Sequence, residues 1–218
     1  MTTHDSRPRD TVAAELCEIG RRAWHRGYCA GNDGNYSVRI APDRILCTPT
    51  GVSKGFMTPD MMCEVDLDGM PLREGAHRVT SEIKAHLAVY RARRDVVAVV
   101  HAHPPHAVAF CLTHTAIPAA ACPEAFVLLG DVPLADYATP GTAAVGDAVT
   151  RVLKPDTQAM LLANHGSLTL GTSGGLIDAY YRLEVLDSIC KSLLHARSLG
   201  ELRLLTTDQL AALRPVAK

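Results

Sequence analysis

Val96-Val97-Ala98-Val99-Val100-His101-Ala102-His103-Pro104-Pro105 is an apolar run closed by two histidines and stopped by two prolines. Its length and its valines read as a buried strand. Residues i and i+2 of a strand point to the same face, about 6.6 Å apart along it, so two imidazoles placed this way can converge on one metal ion. Proline cannot donate to a ladder, which puts the histidine pair at a strand end, where open sheets present their ligands. A second apolar run, Leu161-Leu162-Ala163, ends in Asn164-His165-Gly166. Together they predict a three-histidine site, His101, His103 and His165, assembled from two strands.

The flanking sequence alternates between helical and strand patterns. Helical spacing of Ala13, Leu16, Cys17, Ile19, Gly20 and Trp24 predicts a helix over 9–28, followed by a Gly/Asn/Asp turn (31–35) and a strand at 36–40. Return strands are expected at 44–48 and 63–67, the latter with Asp68-Gly69 as a hairpin turn. A helix over 82–91, capped by Thr80 or Ser81, precedes the 96–101 strand. Helices at 105–114, 142–153, 174–199 and 207–213 and strands at 132–134, 159–163 and 167–170 complete the pattern; 119–129 matches no single template. Hairpins mixed with helix–strand crossovers predict an α/β fold, a single α/β/α domain whose central mixed, mainly antiparallel sheet is flanked by helices. We expect a flexible segment at 1–8, the folded domain at 9–200 and a tail with a short helix at 201–218.

The chain's 218 residues, 47% hydrophobic, suffice for one well-packed domain. A net charge of −1 without basic blocks argues against a nucleic-acid partner. The polar start is no signal peptide, and no apolar run approaches the roughly 20 residues that cross a bilayer. Seven cysteines without a CxxC pair, most of them in apolar segments, read as reduced core thiols of a cytoplasmic protein.

Beside the histidines, Glu82 offers a carboxylate at the start of a helix. A strand-end histidine also serves as a surface residue, and a first-turn glutamate often only complements the helix dipole; spacing alone leaves both readings open. His106 reads as structural rather than as a fourth ligand. Asn32 to Asn35, Thr50-Gly51 and Thr80-Ser81 are three polar turns suited to a phosphate, although most such turns are only turns.

The ordered series Gly-Asn-Asp-Gly-Asn-Tyr-Ser-Val-Arg (31–39), Thr-Pro-Thr-Gly (48–51), Ser-Glu (81–82), His-Ala-His-Pro (101–104), Tyr-Ala-Thr-Pro-Gly-Thr (137–142) and Asn-His-Gly (164–166) resembles the class II aldolase/adducin family. The resemblance spans roughly 9–200. It implies a sheet of nine or a similar number of strands, a homotetramer with fourfold symmetry, and active sites shared between subunits. It further implies Zn2+ on His101, His103 and His165, with Glu82 ligating the resting metal and then serving as acid/base. Gly34, Asn35, Thr50, Gly51, Thr80 and Ser81 correspond to a phosphate pocket, and Tyr137 to a tyrosine that crosses the interface and exchanges a proton with the aldehyde oxygen. The implied reaction is retro-aldol cleavage of a ketose 1-phosphate, such as L-fuculose 1-phosphate or a related deoxypentulose 1-phosphate, to dihydroxyacetone phosphate and an aldehyde. Epimerisation, dehydration or decarboxylation at the same site are the alternatives. A non-enzymatic adducin-like assembly role is disfavoured by the intact ligand set, and a metal-dependent (β/α)₈ amidohydrolase by the chain length, since such barrels take about 250 residues. Two departures from the aldolase pattern stand out: Asp33 in the first turn, where a carboxylate would repel a phosphate, and a tail without tyrosine.

Overall fold

The computed structural model describes residues 4–213. Seven strands form one sheet: β1 (Asn35–Ala41), β2 (Arg44–Cys47), β3 (Cys63–Asp66), β4 (Ala98–Ala102), β5 (Leu134–Ala135), β6 (Ala159–Leu162) and β7 (Ser167–Gly171). They lie in the order β3-β2-β1-β4-β7-β6-β5. All neighbours are antiparallel except β5 and β6, so the sheet is mixed and mainly antiparallel. The expected architecture holds, with seven strands among the described residues instead of nine. Hairpins join β1 to β2 and β6 to β7, longer connections bring β4 antiparallel between β1 and β7, and the single parallel pair follows from the helical crossover between β5 and β6.

Helices cover both faces. α1 (Arg9–His25) and α5 (Gly175–Leu199) lie on one side, α2 (Ile83–Ala92) and α4 (Ala143–Val152) on the other; α3 (Pro105–Thr113) packs with α5, and α6 (Thr207–Leu213) closes the described chain. Strand alternation sorts the core. Tyr36, Val38, Val100 and Ala102 pack with α1 and α5, while Ile45, Val99, Leu168 and Leu170 pack with α2 and α4. His101, two residues beyond Val99, therefore falls on the α2 face.

Several boundaries differ from expectation for identifiable reasons. α1 stops at His25 because Gly27 takes a left-handed φ of 73°. The strand expected at 132–134 pairs only from Leu134, since Pro133 lacks an N–H; Val132 bridges Ile117 instead, and Pro133 still accepts from Leu161 N at 2.8 Å. The unassigned 119–129 stretch holds a 3₁₀ turn (Ala119–Ala121) and a single π turn (Ala125–Leu129). α2 begins one residue late, with Glu82 itself at the N-cap and no side-chain cap hydrogen bond; neither Thr80 nor Ser81 caps it. Glu82's carboxylate points at histidines and leaves the helix end uncapped by any side chain.

Of the segment at 1–8, residues 1–3 lie outside the described residues; Asp5 N donates to Arg39 O at 2.8 Å and holds Arg7 through its carboxylate. Residues 214–218 of the tail also lie outside. All seven cysteines are free thiols, four buried and three half-buried. No helix among the described residues is long and apolar enough to cross a membrane.

Candidate metal centre beside a buried carboxylate

β4 delivers His101 at its last turn of pleat and His103 just beyond it, and the tight turn between β6 and β7 delivers His165. β4 and β7 are hydrogen-bonded neighbours, with His101 opposite Leu168, so the sequence-distant histidines meet. Their ring centroids lie 4.7–5.0 Å apart, and one nitrogen from each falls within 4.8 Å of the others. The turn needs its small residues. Asn164 adopts φ 55°, and a Cβ at Gly166 would stand 2.5 Å from His103 Cδ2 and 2.7 Å from Ala102 O. Gly166 thus makes room for the His103 ring.

The hydrogen bonds set which nitrogens face inward. His101 Nδ1–H donates to Ser167 O at 3.0 Å, and His103 Nδ1 lies 3.3 Å from Asp33 Oδ2. Each ring then carries its proton outward and its Nε2 lone pair inward. These two Nε2 atoms stand 3.0 Å apart. Two lone pairs facing each other without a proton repel, and a cation between them removes the conflict; this donor set fits a zinc-like ion. Glu82 closes the cluster with Oε2 at 3.3 Å from His101 Nε2 and Oε1 at 3.3 Å from His165 Nε2.

Burial would push the Glu82 carboxyl up, but His101, His165 and an N–H from Asn35 more than offset it and hold it well below the usual carboxylate range. Burial and the neighbouring His101 push His165 down to about 4 and lower His103. At neutral pH both imidazoles are uncharged, the form that binds metal.

The three polar turns converge on the same end of the sheet. Thr50 N donates to Arg78 O at 2.9 Å, and Pro49 bridges Val79, which joins the second turn to the segment carrying Thr80 and Ser81. Lys54, almost wholly buried, donates from Nζ to Asn32 O at 3.0 Å and Val52 O at 2.6 Å, tying the first turn to the second. Gly34 is buried with φ 75°, and a Cβ there would meet Cys29 Sγ at 2.7 Å and His101 O at 3.0 Å. Gly51 and Ser81 are exposed, Thr50 half-buried and Thr80 buried, its hydroxyl accepting from Glu82 N at 3.4 Å. Asn35 is buried and spends its amide on Glu82, Nδ2 to Oε2 at 2.8 Å.

Tyr137 is not brought to the histidines. It follows β5 at the far edge of the sheet and is 60% exposed. The loop carrying it does approach Ser81, whose carbonyl oxygen would lie 3.4 Å from a Cβ at Gly141. His106 faces away: its Nδ1 meets Asp187 Oδ2 at 2.9 Å, pinning α3 to α5. Asp33 turns its carboxylate behind the His103 ring. Sequence reading missed His86, fully buried on α2 one turn after Glu82, whose Nε2 lies 2.6 Å from Asn35 Oδ1. The signal was present, since a polar residue four after Glu82 shares its helix face.

Residues 14–194 match the Class II Aldolase and Adducin N-terminal domain, and the chain belongs to this family. It is 33% identical over 177 residues to an L-fuculose phosphate aldolase of Methanocaldococcus jannaschii, covering 81% of this chain and 92% of that protein. It is 31% identical over 210 residues to a 3-oxo-tetronate 4-phosphate decarboxylase of Escherichia coli K12, covering 94% and 95%. Among solved structures it superposes on YgbL of Escherichia coli, described as "a putative aldolase/epimerase/decarboxylase", with a TM-score of 0.85, 29% identity and coverage of 94% of this chain and 99% of that one.

Proposed function

We propose that this chain is a metal-dependent lyase that breaks a carbon–carbon bond next to the keto group of a sugar phosphate, releasing dihydroxyacetone phosphate. The observation that carries this reading is the ionised Glu82 carboxylate held against three inward-facing imidazoles. His101, His103 and His165 would hold the ion, Zn2+ in our reading, with Glu82 as the displaceable fourth ligand. A bound divalent ion supplies Lewis-acid stabilisation to the developing enediolate oxygens.

In the retro-aldol reading the substrate is a ketose 1-phosphate, as for L-fuculose phosphate aldolases. Tyr137 of a neighbouring subunit relays to solvent the proton from the hydroxyl whose carbon becomes the aldehyde. The bonding pair passes to the carbon next to the ketone, and Glu82, after taking up a proton from solvent, delivers it there. Gly34, Asn35, Thr50, Gly51, Thr80 and Ser81 would orient the phosphate through N–H and O–H groups. This reading requires a neighbouring subunit, supplied in our proposal by a homotetramer, because the single chain leaves Tyr137 exposed. We place the enzyme in the cytoplasm.

A second reading is favoured by the decarboxylase alignment, which extends over 94% of the chain against 81% for the aldolase. A 3-oxo acid phosphate loses its carboxyl group as CO2, the bonding pair stays on the adjacent carbon, and Glu82, after taking up a proton from solvent, delivers it to the same enediolate. No hydroxyl then has to lose its proton to become an aldehyde oxygen, so Tyr137 becomes dispensable.

The common half-reaction is tested with Zn2+-loaded protein and dihydroxyacetone phosphate in D2O. Glu82 should exchange one carbon-bound proton for deuterium, seen by proton NMR, and Glu82→Gln should abolish it. Absence of exchange by the wild type overturns the reading. Release of dihydroxyacetone phosphate from L-fuculose 1-phosphate or from 3-oxo-tetronate 4-phosphate then separates the two leaving groups.

A further inference from the structure

Beneath Asn35 and Glu82 runs a line of buried polar side chains, Ser37, His86 and Tyr90, that the chemistry above does not use. β1 alternation places Asn35 and Ser37 on the α2 face, where His86 and Tyr90 come down from the helix. Tyr90 OH lies 2.8 Å from Ser37 Oγ, Ser37 Oγ 2.7 Å from His86 Nδ1, His86 Nε2 2.6 Å from Asn35 Oδ1, and Asn35 Nδ2 2.8 Å from Glu82 Oε2. Ser37, His86 and Tyr90 are all but completely buried, so none of these groups has water as a substitute partner.

We propose that His86 is a positioning residue that fixes the orientation of Glu82 through Asn35. The ionised Glu82 carboxylate accepts from Asn35 Nδ2 and so fixes the protons along the line. Asn35 Oδ1 then faces His86 and accepts from its Nε2–H, which leaves Nδ1 without a proton to accept from Ser37 O–H. With the Asn35 amide reversed, its oxygen would face the Glu82 carboxylate, and that contact is repulsive in a low-dielectric interior whichever tautomer His86 adopts. Tyr90 O–H donates to Ser37 O at 3.0 Å and anchors the far end; from Ser37 onward every donor points toward Glu82, and each bond polarises the next. The Glu82 oxygen held this way stays directed at His101, while the carboxylate remains free to leave the other histidine. Asn35 accordingly serves the carboxylate in addition to any contact with phosphate.

This inference rests on Glu82 as the proton-transfer group, and the deuterium exchange of dihydroxyacetone phosphate reads it without a choice of leaving group. His86→Gln keeps a donor at the Nε2 position and should exchange within about threefold of wild type. His86→Asn reaches Ser37 but falls short of Asn35, and it and His86→Leu should lose about 10–100-fold in kcat with KM for dihydroxyacetone phosphate within about twofold. In the wild type, ¹⁵N-resolved NMR should show the His86 proton on Nε2. Exchange by His86→Leu or His86→Asn at the wild-type rate, a His86→Gln loss equal to that of His86→Leu, or a proton on Nδ1 overturns the inference. Wild-type protein that exchanges no deuterium overturns the proposed function instead.

Discussion

Asp33 stands behind His103 with Oδ2 3.3 Å from Nδ1, on the side of the ring away from the Nε2 that faces the cluster. Its charge is therefore directed at a ligand candidate and not into a phosphate pocket, which answers the repulsion that the first turn raises when read as sequence. A carboxylate behind an imidazole fixes its tautomer and raises its basicity. Asp33→Asn should weaken Zn2+ binding by about 10–100-fold, measured by competition with a chromogenic chelator, with the fold unchanged by circular dichroism. Gly166 has no such latitude: Gly166→Ala drives a Cβ onto the His103 ring and Ala102 O. This substitution should cost about 1–3 kcal/mol in urea denaturation and lower metal content. At this scale the sequence was informative about which residues matter, since HxH, Asn-His-Gly and Ser-Glu are legible as motifs. It was silent on where Asp33 and Asn35 point, because a side chain's direction is set by neighbours tens of residues away.

The β4 strand and the α2 helix carry the site between them. β4 pairs with β1 through Asn35↔His101 and with β7 through His101↔Leu168, so one residue of register slip would turn His101 into the α1–α5 core. Val100, opposite Tyr36 and fully buried, holds that register by packing on the other face. Helix α2 supplies Glu82, His86 and Tyr90 at a spacing of four. His86 is pushed down to about 3 from 6.5 by burial, with the nearby His101 adding to the effect. The folded state thus holds His86 neutral while the unfolded chain binds a proton below 6.5. Metal-free protein should be most stable above that value and lose up to about 1.4 kcal/mol per pH unit from this residue as pH falls toward 3. Urea midpoints at about pH 7.5 and about pH 5.5 check this, and His86→Gln should reduce the difference, leaving the part that His165 and His103 contribute with the same sign. The helices and strands themselves were readable from periodicity. The exceptions, Pro133, Gly27 and the uncapped start of α2, are places where a missing N–H, a left-handed φ or a charged neighbour overrides the pattern.

At the scale of the whole molecule, a single chain completes the histidine and glutamate cluster but leaves Tyr137 exposed at the far edge of the sheet. If the retro-aldol reading holds, oligomers mixed from Glu82→Gln and Tyr137→Phe subunits should regain roughly a quarter of wild-type cleavage, because some shared sites then contain both intact residues. Tyr137→Phe alone should leave deuterium exchange of dihydroxyacetone phosphate within about threefold of wild type. Chelation of the metal should lower the thermal midpoint by several degrees and restore it on adding Zn2+ back, since an ion that binds only the folded state stabilises it. The sequence by itself determined the fold class and offered the three histidines and Glu82 as candidates, because periodic burial, the HxH spacing and the ordered motifs are properties of the chain read locally. Only the tertiary structure decided that Asp33 backs His103 and that His86 reaches Glu82 through Asn35. Those contacts join residues 47 to 70 positions apart, and strand register and helix docking, not local spacing, bring them within hydrogen-bond distance.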